Sequence, residues 1–375
     1  MKKLDFIDAL RGYAILGVLM VHTSQYGNKL HSTLGTLITE KGAMGVQLFF
    51  LASSFTLFLS FTKRSQYEKF AVRNFFIRRF FRIAPIFYIA ICYYLFQNWH
   101  SERNVFTPGS SHGIDIILNF LFLNGFNPYT IRSIVPGGWS IAVEMTFYII
   151  LPILFIKIKN EKQAFNFFVL ALLLRLFFVS IMEKYPLIAD TEIWNTFLFF
   201  NFLNQLPVFA LGILFYFIVR KAPGEKFGFN SSFVLLFTIL SILQLSIGIP
   251  FFLPDHIFFS VFFLLLTIVL NYQQPIVLVN KIINYIGTIS FSMYIVHFAV
   301  LYWLTYFEKI DYFNNQFINF GFKFLIVTLL TIIISSITYK LVELPFQNIG
   351  RKIIKKLEEK SLVLKSNYSE ISLND

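Results

Sequence analysis

Asp8, Arg11 and His22 stand inside the first apolar stretch of this 375-residue chain, DFIDALRGYAILGVLMVHTSQY. A charge buried in a membrane helix costs roughly 2.5–3.5 kcal/mol on insertion scales, so it needs a partner or a use. On an α-helix the spacing from Arg11 to His22 is three turns with about 20° of drift, which puts both on one face about 16 Å apart. Asp8, one turn before Arg11, can pair with it on that face. An imidazole with an unperturbed pKa of about 6.5 is a general base near neutral pH. A merely structural histidine would be explained by a bond to a neighbouring helix, but the shared face with Asp8 and Arg11 favours chemistry.

A carboxylate sits in a similar setting. In PGGWSIAVEMTFY, Glu144 falls about 8–9 Å into a helix that opens at the glycines. Its natural partner is an imidazole from another helix, which makes it a candidate to orient His22. A structural pair with an arginine is the alternative. Trp139 suits the interfacial belt and lies beside Ser140. Arg78, Arg79 and Arg82 crowd RRFFRIAPIFY. Guanidinium forks match phosphate geometry, and Arg78 and Arg82 share a face, so a phosphorylated donor could dock there. The competing reading is topology signalling alone. Pro85 falls in the first turns of that helix, where it is tolerated or introduces a kink.

Weaker signals complete the set. His297 stands with Ser292 in GTISFSMYIVHFAV, as a site residue or a structural one. Gly42 and Gly45 suit close helix approach, with Ser53 and Ser54 satisfied by backbone. Glu343 and Pro345 read as the stop of the last span. His31, His100, His112 and His256 fall in loops and carry no role. No His, Cys or carboxylate pair has zinc spacing, so no metal is expected, and neither a GxSxG elbow nor a P-loop is present.

These side chains need elements that hold them in a membrane. The chain is 56% apolar and 14% charged, more apolar than a soluble fold of its length requires. The fold class is therefore all-α, a polytopic integral membrane helix bundle. Runs of spanning length fall at 8–26, 43–62, 77–97, 139–158, 163–182, 194–219, 231–249, 256–271, 285–307 and 317–341. The run at 114–126 is too short and too polar to span. With the N-terminus inside, most lysines and arginines fall inside, which supports ten spans, one short non-spanning segment and both termini cytoplasmic. The net charge of +12 then marks topology, not a nucleic-acid partner. A lone cysteine, Cys92, excludes an internal disulfide. The first run lacks a cleavage site and reads as a retained span. One membrane domain is expected over 1–350, followed by a polar cytoplasmic tail over 351–375 that is disordered from Leu357.

Taken in order, the Arg11–His22 pair, GAMGVQLFF, RRFFR with Pro85, WSIAVE, SFSMYIVH and VELP resemble the membrane acyltransferase family 3, the bacterial O-acyltransferases of surface polysaccharides. The resemblance runs from Leu4 to Arg351. It implies a ten-span domain of the bacterial cytoplasmic membrane that moves an acyl group, usually acetyl, from cytosolic acyl-CoA to a glycan hydroxyl. Acyl-CoA would be a co-substrate, with no bound cofactor. The resemblance also implies that Arg11 and His22 are needed for activity, that the arginine cluster serves the donor, and that Glu144 belongs to the site. The chain departs from the family pattern at Ser53-Ser54, where Ser-Gly is usual, and at Met145-Thr146, where Glu-Gln is usual. Some relatives carry an extra esterase-like domain. No such domain is expected within these 375 residues, and transfer is expected to finish in the membrane domain or with a separate partner.

The sequence-level mechanism puts His22 as base or acyl carrier, Glu144 as its orienting group, and Arg78, Arg79 and Arg82 on the donor phosphates. Asp8 and Arg11 steer the donor or fix the helix, and Trp139, Ser140 and His297 line the substrate path. Two rivals are an exporter of an envelope glycan, with buried charges lining a pathway, and a non-catalytic envelope scaffold.

Overall fold

The molecule is described by a computed structural model covering residues 4–30, 35, 39–99, 112–220 and 254–371. Helices account for all regular structure among the described residues. They are α1 (Asp5–Gln25), α2 (Gly45–Arg64), α3 (Ala71–Trp99), α4 (His112–Phe120), α5 (Gly138–Lys157), α6 (Glu161–Lys184) and α7 (Thr191–Phe200). After these come α8 (Phe202–Arg220), α9 (Asp255–Gln273), α10 (Lys281–Thr288), α11 (Ser290–Tyr306), α12 (Gln316–Thr338) and α13 (Leu344–Ile371).

Among the described residues, seven segments are long and apolar enough to cross a membrane, or eight if the bent pair α10–α11 is one crossing. The expected span at 77–97 is the 29-residue α3, which is long enough but carries Arg73, Arg78, Arg79 and Arg82. The expected span at 231–249 lies outside the described residues. Helix α4, at nine residues, reaches only about 14 Å and does not cross, in line with its sequence.

α1 is the hub. It packs against α2, α9, α10, α11 and α12. Glycines permit this. A Cβ on Gly45 would overlap the Ala14 carbonyl, one on Gly42 the Gly17 carbonyl, and one on Gly287 the Asp8 carbonyl. Small residues let backbones approach where no hydrophobic force distinguishes helix from lipid. By contrast, α6 shows Phe165, Leu170, Leu173 and Phe177 to its surroundings, an apolar exterior that suits lipid.

Breaks in the helices shape the interior, and sequence pattern missed them. The run 194–219 is two helices, broken at the extended Asn201. The run 285–307 bends by 76° between α10 and α11. The predicted stop at Glu343 and Pro345 is not made: a π-turn, Tyr339–Glu343, carries α12 into α13. The wider turn relieves the clash of the Pro345 ring with the preceding turn. Glu343 is buried and accepts a hydrogen bond from Ser292 Oγ. The tail is helical up to Ile371 rather than disordered from Leu357, because α13 docks on α3. Glu358 accepts from the Lys69 and Phe70 N–H groups and from Asn74 Nδ2.

Candidate active site

Two cavities lie one above the other along α1. The first, about 80 Å³, holds Arg11 from α1, Ser53 from α2, Arg79 and Arg82 from α3, and Ser140, Glu144 and Tyr148 from α5. It is called the near cavity, because it lies towards the helix ends bearing Lys63, Arg64 and Lys157. The second, the far cavity, is about 620 Å³ and holds His22, Gln25, Gln47, Trp139, Arg132 and Glu192. Val46 and Tyr294 line both.

The shared face of α1 is real: Arg11 lines one cavity and His22 the other. Arg11 Nη2 donates to Thr56 Oγ1 at 2.9 Å, and its Nη1 lies 3.7 Å from Asp8 Oδ1. Asp8 anchors Arg11 but is not among the cavity-lining residues. Three guanidinium groups and one carboxylate line the near cavity, with Asp8 behind Arg11, which leaves an excess of positive charge on half-buried side chains. Such an excess is costly unless an anion joins it.

The arginine cluster divides. Arg78 is spent on Glu68, with bonds of 2.7 and 3.0 Å, and lines neither cavity. The pair facing the near cavity is Arg79 and Arg82, not the Arg78 and Arg82 pair expected from i,i+4 spacing. Arg79 stacks its guanidinium over the Tyr148 ring at 5.9 Å, and its Nε is buried without a hydrogen-bond partner.

Glu144 does not reach His22. It accepts from Ser53 Oγ, two turns above the Ser60 and Arg64 contact on the same helix. Its side chain lines the near cavity with the arginines. The expected orienting role on His22 is occupied by Gln25, whose Oε1 lies 3.1 Å from His22 Nδ1. A carbonyl oxygen only accepts, so Nδ1 carries the proton and Nε2 keeps its lone pair. The His22 ring is held on its other side by Phe298, centroid to centroid 4.4 Å, and by His297 at 5.3 Å.

His297 is fully buried and lines neither cavity. Its Nδ1 lies 3.1 Å from the Met293 carbonyl, and its Nε2 has no partner. It therefore packs behind His22. Trp139 stacks on Phe200 at 4.1 Å and forms a wall of the far cavity. Ser140 donates to the Gly137 carbonyl or to Tyr294 Oη, at 3.0 and 2.9 Å. His256, expected in a loop, is buried in α9 beside the Asn204 carbonyl.

Sequence reasoning missed three contributors, Tyr148, Gln25 and Tyr294, and read Ser53 as satisfied by backbone. Tyr148 follows Glu144 by one turn and Gln25 follows His22 by nearly one, so helical spacing could have found both. Ser53 and Tyr294 are reached only across helices. No group of three or more His, Cys, Asp or Glu capable of holding a metal occurs among the described residues.

The geometry suits a reaction in which an anionic donor and a deprotonatable acceptor approach from opposite ends of α1. Residues 4–340 match the model of a family described as an acyltransferase domain, acyltransferase 3. A Staphylococcus aureus (strain COL) protein named provisionally as an O-acetyltransferase is 24% identical over 392 residues, covering 94% of this chain and 59% of its own. The O-acetyltransferase OatA of Staphylococcus aureus (strain NCTC 8325) is 22% identical over 382 residues, with the same shares. The chain thus spans 59% of the length of these relatives. No solved structure gives a significant match.

Proposed function

We propose an O-acyl transfer through the membrane on one premise: the chain belongs to the acyltransferase 3 family. It is an acyltransferase with several membrane-crossing helices. The finer reading is that an acyl group, acetyl in the first instance, passes from cytosolic acyl-CoA to a hydroxyl of a cell-surface or lipid-linked glycan. The membrane is the bacterial cytoplasmic membrane, crossed ten times, with both termini cytoplasmic. The catalytic membrane domain is assigned to 1–350 and the tail to 351–375.

The observation that carries this reading is the stacking of the two cavities, with the positive one under Arg11 and the imidazole one above it. Arg11, Arg79 and Arg82 would hold donor phosphate oxygens in bidentate fashion. Glu144, pinned by Ser53, spaces the guanidiniums and limits their repulsion. His22 Nε2 takes the proton of the acceptor hydroxyl as its oxygen bonds to the thioester carbonyl carbon. The C–S bond breaks, and the proton passes from His22 to the departing thiolate. Gln25 holds the imidazole in the reactive tautomer throughout, as a carboxylate does in other histidine sites.

The test is reconstitution of the full chain in vesicles with acetyl-CoA and isolated cell-wall glycan. The expected result is free CoA thiol together with a glycan heavier by one acetyl group in mass spectra. An exporter would move glycan and release no thiol, and that outcome would replace this reading.

A further inference from the structure

The two cavities meet at a single aromatic ring. Tyr294, on α11, and Val46, on α2, are the residues lining both. The Tyr294 hydroxyl is held from each side. It lies 2.9 Å from Ser140 Oγ, which lines the near cavity, and donates to the carbonyl of Gly137, which lines the far one, at 3.0 Å. Gly137 is left-handed, φ 77°, and a Cβ there would press on Tyr294 Oη at 2.7 Å. Only glycine takes that backbone conformation freely while admitting the hydroxyl so closely. The ring itself is set edge-on to Phe49, centroids 6.3 Å apart. Backbone, hydroxyl and ring packing all fix Tyr294 across the path between the arginines and His22.

Resting on the acyl-transfer reading above, we propose that Tyr294 is the partition between donor and acceptor cavities and the residue that sets acyl selectivity. The carbonyl carbon of the thioester must come within reach of His22 from a donor anchored below. The gap between Tyr294 and Val46 is where the acyl chain passes. A small acyl group clears it, and a long one meets the ring. The same ring keeps water of the far cavity from the thioester. When water enters, its oxygen bonds to the carbonyl carbon, the C–S bond breaks, and free acid and thiol result with no ester formed.

The experiment needs no identified acceptor. Full-length wild type, Tyr294→Phe, Tyr294→Ala and Val46→Ala are reconstituted in vesicles and given acetyl-CoA or hexanoyl-CoA without glycan. Thiol release then reports hydrolysis alone. Tyr294→Ala should raise acceptor-free thiol release about tenfold and raise the hexanoyl-to-acetyl ratio by a similar factor. Tyr294→Phe, which loses only the hydroxyl tether, should leak less, and Val46→Ala should shift the ratio from the opposite wall. Tyr294→Phe keeps the ring volume and is expected to keep its thermal midpoint in detergent, so it remains readable where Tyr294→Ala or Val46→Ala loses stability by leaving a cavity. Folded variants with wild-type leak and wild-type chain-length ratio would overturn the partition while leaving acyl transfer intact. Absence of thiol release from wild type even with cell-wall glycan added would overturn both.

Discussion

At the scale of single residues, the division of labour between the cavities is testable by separating kcat from KM. His22→Ala should lower transfer by about 10²- to 10⁴-fold, the usual contribution of a general base. Gln25→Leu should lower kcat, because the imidazole loses the acceptor that fixes its tautomer, yet leave the KM for acyl-CoA unchanged. Arg82→Gln should do the reverse and raise that KM about 10- to 100-fold, as expected for one charge-assisted hydrogen bond of roughly 1.5–3 kcal/mol. Thiol release at varied acyl-CoA checks all three variants. Most of these residues were legible in the chain because helical periodicity fixes which side chains share a face. Arg11 and His22 are the clearest instance. Periodicity says nothing about which helices adjoin, and the expected contact between Glu144 and His22 does not form. The nearest hydroxyl to Glu144 is Ser53 of α2, and the nearest acceptor to His22 is Gln25 of its own helix.

At the scale of elements, α1 is gripped by backbone contacts that leave it little room. Gly287, just before the α10–α11 bend, packs under the Asp8 carbonyl so tightly that any Cβ must displace one helix. Gly287→Ala should therefore cost about 1–3 kcal/mol, the usual penalty of overpacking. It should also weaken donor binding, since Arg11 is one turn from the contact. A thermal melt and a donor KM measured together check both. The opposite end of α1 is tied by Lys323, buried in α12, whose Nζ reaches the Tyr26 carbonyl at 2.5 Å, the Asn28 carbonyl at 3.2 Å and Asp311 at 3.4 Å. Partial desolvation pushes the Asp311 carboxyl up. Hydrogen bonds from Asn319 and the Asn28 N–H, with the Lys323 charge, outweigh that and hold it below its ordinary range. A carboxylate whose folded pKa is depressed contributes stability that is complete above its unfolded pKa and lost as pH falls through the folded one. Asp311→Asn should thus melt below wild type at neutral pH, and the two should converge as pH drops beneath the ordinary aspartate range. Melting curves at several pH values check the convergence. The bend between α10 and α11 was not read from the sequence, because hydropathy registers length rather than direction, although Gly287, Thr288 and Ser290 mark the break.

At the scale of the whole molecule, the orientation of the bundle decides whether the near cavity can meet a cytosolic donor at all. α1 and α3 both run from the basic end towards the far end, since Arg11 and Arg79 lie early in each helix and line the near cavity. α5 runs the other way, because Trp139, near its start, lines the far cavity and Tyr148 lines the near one. α3 therefore ends and α5 begins on the far side, and α4 is too short to cross. Lys63, Arg64, Lys157 and Lys159 consequently share one end, the side that positive residues favour in the cytoplasm. Cysteine labelling tests this directly. Cys92 is free and exposed, so Cys92→Ser should give a silent background. In it, Lys309→Cys, between α11 and α12, should react with an impermeant maleimide on intact cells. Lys159→Cys, between α5 and α6, should react only after permeabilisation. The opposite pattern would turn the arginines towards the cell exterior, where no acyl-CoA is supplied, and the donor assignment would have to be abandoned even if both cavities are as described.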